Sequence, residues 1–75
     1  MSLELLSLVG EALRGARWHQ PLARDLGVAG VTMRRWLNGT SPLPADLTDR
    51  LRGTIRRRRR LLTEAMRRLR SDTRS

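Results

Sequence analysis

The sequence contains no cysteine, lysine, tyrosine or phenylalanine, and only one histidine. Without cysteine there can be no disulfide, no thiolate metal site and no thiol nucleophile. His19 stands alone, with no cluster of carboxylates beside it, so a turn or backbone-contact role is expected and a metal site is not. No carboxylate pair sits in a pocket-forming context, so the residues offer no catalytic constellation. The chain is therefore expected not to be an enzyme and to need no cofactor. Trp18 and Trp36 are the only aromatic residues. Two are too few for the stacking platforms of single-stranded nucleic-acid or RNA modules, and both are expected in the core. Long apolar runs are also missing. The opening MSLELLSLVGEAL is interrupted by Glu4 and Glu11 and lacks a basic lead-in, so neither a signal peptide nor a membrane span is expected. These absences point to a soluble, cytoplasmic protein without a membrane partner.

What is present is charge. The chain has 75 residues, a formal net charge of +9 and a sequence pI near 12.0. Only one domain fits in this length, near the lower limit at which an apolar core alone supports folding, so oligomerisation would help. Such an excess of positive charge implies a polyanionic partner, with nucleic acid ahead of a membrane surface, and hence association with the nucleoid. All 16 basic residues are Arg. The guanidinium fork suits phosphate and guanine, although a GC-rich genome produces the same bias. Residues 1–43 hold five Arg against three acids, whereas residues 44–75 hold eleven against four, so the two halves have different tasks.

Periodicity predicts an all-α fold: a small four- to five-helix domain with a central pair of short helices and a long arginine-rich C-terminal helix. Ser2 is placed to cap a first helix whose stripe is Leu5, Leu8, Val9, Ala12, Leu13 and Ala16, ending near Gly15. Pro21 suits the first turn of a second helix that stops at Gly27. A third runs from Val31 to Leu37 and closes at Asn38-Gly39. Pro44, with Asp46 behind it, is expected to open a fourth that continues to about Arg70. Residues 1–75 thus form one domain, with a core over 2–53 and a basic helix over 54–70.

Two short helices crossing at a fixed angle need a small residue at their contact, a glycine in the turn and apolar residues that lock them together. Ala23, Gly27 and Val28 meet these needs, with Leu22, Leu26, Met33 and Trp36 facing inward and Leu37 beside them. The run PLARDLGVAGVTMRRWLNG, within residues 19–38, resembles the helix-turn-helix of the phage-repressor-like (XRE/Cro-type) family. The resemblance implies a homodimeric regulator of transcription, bacterial or phage, that binds double-stranded DNA at a palindromic operator and represses by occupying it.

With Met33, Trp36 and Leu37 inward, a helical wheel leaves Val31, Arg34, Arg35 and Asn38 on the outer face, where a major groove would lie. Arg34 and Arg35 can each fork onto guanine, Asn38 can pair with adenine or bind phosphate, and Val31 can touch a thymine methyl. A solvated charged face or plain phosphate contact accounts for the same two arginines. Gln20 resembles the family's polar residue that contacts the DNA backbone, and Thr32, Thr40 and Ser41 are hydroxyl candidates for phosphate; turn or cap roles suit these residues equally. Ala29, Gly30 and Val31 occupy the place of the family's usual polar cap, which weakens the helix start by about 1 kcal/mol.

Five consecutive arginines, Arg56 to Arg60, sweep more than a full helical turn. One must therefore fall on the apolar stripe, and the series Leu51, Ile55, Arg58, Leu62, Ala65, Leu69 places Arg58 there. Leu61, Leu62, Ala65, Met66 and Leu69 lack an obvious cover within one chain, so dimerisation through this helix is expected, because a second copy would supply the cover. A phosphate-binding arm and a flexible basic tail are the other two readings of this segment. For the whole chain, the alternatives are an antitoxin-like interaction protein with an acidic protein partner, and a nonspecific nucleic-acid-binding protein.

Overall fold

The computed structural model describes residues 1–74. Among these the secondary structure is all helical: α1 (Leu3–Arg14), α2 (His19–Leu26), α3 (Gly30–Asn38) and α4 (Leu47–Arg74). No helix is long and apolar enough to cross a membrane.

Each short helix ends where its sequence cannot continue. The Ser2 hydroxyl accepts the Leu5 amide at 3.1 Å and opens α1. Gly27 and Gly39 close α2 and α3 with φ of 70° and 75°, a left-handed conformation that favours glycine. At the end of α2 the Val28 amide then returns to the Ala23 carbonyl at 2.9 Å, which fixes the three-residue link into α3. The start of α4 differs from expectation. Pro44-Ala45-Asp46 makes a separate turn, with the Leu47 amide on the Pro44 carbonyl at 3.2 Å, and the helix begins at Leu47. It then runs beyond Arg70, to Arg74.

The core gathers Leu6 from α1, Trp18 before α2, Leu22, Ala23 and Leu26 from α2, Met33 and Trp36 from α3, and Leu47 and Leu51 from α4. Val28 and Leu37 pack against it, half-buried. The stripe expected on α1 is out of phase. Leu6 and Gly10 are buried and Val9 and Leu13 half-buried, whereas Leu5, Leu8 and Ala12 are exposed and Ala16 lies in the turn beyond the helix. Gly10 sets this phase, because a β-carbon there would lie 2.3 Å from Trp18 Cε3. Only a residue without a side chain lets the indole lie against the helix.

Helix α4 is joined to the rest by polar as well as apolar contacts. Its packed stripe is Leu47, Leu51, Thr54 and Arg58; Ile55 beside it is half-buried. Arg50 donates from Nη2 to the Leu26 carbonyl, and Arg58 donates from Nη2 to the Leu13 carbonyl at 3.0 Å. These acceptors are among the last carbonyls of α2 and α1, which have no partner within their own helices and lie at the negative end of the helix dipole. Packing thus continues past residue 53, and Arg58, expected on the apolar stripe, meets a carbonyl there.

Between α1 and α2, Arg14 pairs in two-pronged fashion with Asp25 at 2.9 and 2.6 Å. Hydrogen bonding from Arg14 holds the Asp25 carboxyl below its ordinary 3.8; partial burial opposes the shift, and Arg57 and Arg58 add attraction. A carboxyl with a depressed folded-state pKa stabilises the fold above its unfolded value and loses that contribution as pH falls through the folded one. Unfolding midpoints should therefore drop as pH falls below about 4, and Asp25→Asn should flatten that slope. An unchanged slope in the variant would show that other carboxylates set the acid limit.

Candidate nucleic-acid interface

Helix α3 is held by its inner face and open on its outer one. Met33 and Trp36 are buried, which fixes the rotation of the helix about its own axis. Val31, Arg34, Arg35 and Asn38 are all exposed. Their spacing of three and four residues places them along one face about 10 Å long. The sequence of α3, GVTMRRWLN, contains no carboxylate, so this face carries two guanidinium groups and an amide without internal neutralisation.

Residues from α2 join it. His19, Gln20, Gly30, Met33, Arg34, Leu37 and Asn38 line a shallow groove, which brings Gln20, Arg34 and Asn38 together. Gln20 reaches over Gly30, where a β-carbon would lie 2.9 Å from both Nε2 and Oε1 of its flexible side chain. The Gln20 amide therefore sits over the first turn of α3, where backbone N–H groups lack helical partners. No side chain caps that turn, and the extended Ala29 (φ −69°, ψ 151°) supplies only its carbonyl, to the Thr32 and Met33 amides at 3.0 and 3.2 Å. His19 stacks edge-on against Trp18, with ring centroids 4.3 Å apart and planes at 84°. This contact orients the imidazole at the rim of the groove.

The hydroxyl candidates divide. Thr32 and Ser41 are half-buried, and Thr40 is exposed, with its hydroxyl donating to the Arg35 carbonyl at 3.2 Å. The Thr40 and Ser41 amides converge on the same carbonyl at 3.0 and 3.3 Å. Both residues therefore close the C-terminal end of α3, and the Thr40 hydroxyl is already committed as a donor. Leu61, Leu62, Ala65, Met66 and Leu69, on the distal part of α4, are all exposed. Among the described residues, no group of three or more His, Asp or Glu side chains gathers as a metal site would require.

Two features of the site carry little sequence signal. The place of Gly30 under Gln20 is one: its trace is a glycine where a polar cap is usual. The other is the pair Arg50 and Arg58, which fix α4 to the ends of α2 and α1. Compared with known proteins, the chain matches no family model, no curated protein and no solved structure.

Proposed function

We propose that the chain is a sequence-specific double-stranded DNA-binding regulator of transcription, a homodimeric repressor or autorepressor, acting in the cytoplasm on a palindromic operator through α3 in the major groove. The observation that carries this reading is the outer face of α3. Val31, Arg34, Arg35 and Asn38 are exposed together on a helix clamped by Met33 and Trp36, with Gln20 beside its N-terminal turn. A major groove about 12 Å wide admits such a helix, and arginine and asparagine match guanine and adenine edges there. The exposure of Gln20 beside Arg34 and Asn38 supports a contact from it to the DNA backbone, a kind of contact that fixes register without reading sequence. One short helix reads few base pairs, so two copies on half-sites about one DNA turn apart supply the rest.

The test is binding to DNA upstream of the chain's own gene against scrambled DNA, at about 50 and about 200 mM salt, with the Arg34→Ala, Arg35→Ala variant alongside. The expected footprint has two half-sites separated by one helical turn. The double variant should lose preference for it, each bidentate contact contributing roughly 1–3 kcal/mol of discrimination. Equal, steeply salt-dependent binding to both DNAs would overturn sequence-specific regulation and leave nonspecific binding. A second reading, an antitoxin-like protein that captures an acidic partner, is favoured by the exposed apolar face and arginine excess of distal α4.

A further inference from the structure

Two amphipathic faces are left outside the core and outside the outer face of α3. The first belongs to α1. Leu5, Leu8 and Ala12 are exposed along one side, Leu8 by 64%, and Glu4 and Glu11 border them two turns apart. Glu4, Leu8 and Glu11 also line a shallow groove that reaches Leu37 of α3. No arginine occurs before Arg14, so this face is acidic in a chain of net charge +9.

The second face is the distal half of α4. The stripe buried at Leu47, Leu51 and Thr54 continues through Arg58 at the same helical spacing to Leu61, Leu62, Ala65 and Met66, all exposed, Leu61 by 62%. It is a core-facing stripe that has outrun its core. Arg58 marks the crossing point, because its bond to the Leu13 carbonyl lies at the C-terminal end of α1 and the rest of α4 runs past that end. Residues 55–72 hold eight Arg against two acids, and one of those acids, Glu64, is already held by Arg67 and Arg68.

The two faces match in length and oppose in charge. Helix α1 has 12 residues, and an equal stretch of α4, residues 61–72, projects beyond Arg58; each spans about 18 Å. They do not meet within one chain, since α1 turns its other side, Leu6 and Gly10, to the core. We propose that they meet between two copies: the distal half of α4 from each copy lies across the Leu5–Leu8–Ala12 face of α1 in the other, with its arginines beside Glu4 and Glu11. The exchange is reciprocal, so it closes as a twofold dimer and buries two such contacts. Packing α4 against α4 of the second copy would cover the same leucines but oppose one strongly basic helix with another. The acidic border of α1 removes that repulsion. This inference rests on the homodimer in the proposed function and names the surfaces that form it.

The absence of cysteine makes the test clean, because single introduced thiols report one position each. Chains carrying Leu8→Cys and Ala65→Cys, both at exposed sites, are mixed and treated with a short bismaleimide. Crosslinked dimer is expected in the mixture and in neither variant alone. Sedimentation of the Glu4→Arg, Glu11→Arg chain, with its helicity checked by circular dichroism, should show a dimer weakened about tenfold or more. Crosslinking of Ala65→Cys with itself, or a charge-reversed dimer as tight as the original, would overturn the exchange while leaving the homodimer standing. A chain that remains monomeric at every concentration would overturn both, whereas the DNA experiment with Arg34 and Arg35 variants judges operator binding separately.

Discussion

Alanine at Gly10 is expected to destabilise the domain by about 2 kcal/mol, although alanine is the better helix former. The intrinsic gain of replacing a helical glycine is roughly 0.5–1 kcal/mol. Against it stands a β-carbon placed 2.3 Å from Trp18 Cε3 and 2.4 Å from Cδ2. These are atoms of a rigid indole that is itself buried in the core, so they cannot swing aside as the end of a flexible chain would. Overpacking of this kind costs typically 1–3 kcal/mol, and an overlap so deep belongs at the upper end. For a domain of this size, each kcal/mol moves the thermal midpoint by roughly 4–8 °C. Gly53 provides the internal control. It lies in α4, with nothing within 4 Å of where its β-carbon would stand, so Gly53→Ala should raise the midpoint by the propensity gain alone. Thermal denaturation of the two variants should give shifts of opposite sign. A stabilised Gly10→Ala protein would mean that Trp18 does not lie against α1.

The run of five arginines is expected to be uneven in its effect on stability. Arg58 is half-buried and bonds the Leu13 carbonyl, whereas Arg56, Arg57, Arg59 and Arg60 are exposed. Arg58→Ala removes a charged donor from a helix end and uncovers the apolar surface under its stem, for a loss of about 1.5–3 kcal/mol. Arg59→Ala and Arg60→Ala should stay within about 0.5 kcal/mol of the parent. Chemical denaturation of the three variants measures this directly. Equal losses across them would show that the run acts as a charge cloud and that Arg58 has no anchoring role.

Much of this architecture is legible in the sequence, and for identifiable reasons. Gly27 and Gly39 stop α2 and α3 where left-handed backbone is required, Ser2 caps α1, and the burial of Met33 and Trp36 fixes which way α3 faces. The register of α1 is not legible. Leu3, Leu5, Leu6 and Leu8 satisfy more than one stripe at helical spacing, and the deciding residue, Gly10, has no hydrophobic weight. Pro44 places the start of the fourth helix three residues too early, because a proline suits a turn as well as a first helical position. Arg58 is legible as a stripe residue, while its acceptor, a carbonyl 45 residues away, is not. At the candidate site, exposure on α3 follows from the wheel, but the fit of Gln20 over Gly30 requires two helices to be in place first.

The molecule measures 54 Å along its longest axis and about 20 Å across, and the projecting part of α4 accounts for the difference. Past Arg58 that helix lies beyond the core residues of α1, α2 and α3, so its distal turns extend an already nucleated helix without the tertiary packing that holds the proximal ones. In the proposed dimer, completion of the helix there and contact with the second copy would be thermodynamically linked. A surface covering Leu61, Leu62 and Met66 would also supply free energy that steadies these turns, so its affinity would be smaller than the apolar area alone would give. Such coupling would let the distal turns loosen and re-form with the dimer contact while α1, α2 and α3 stay folded.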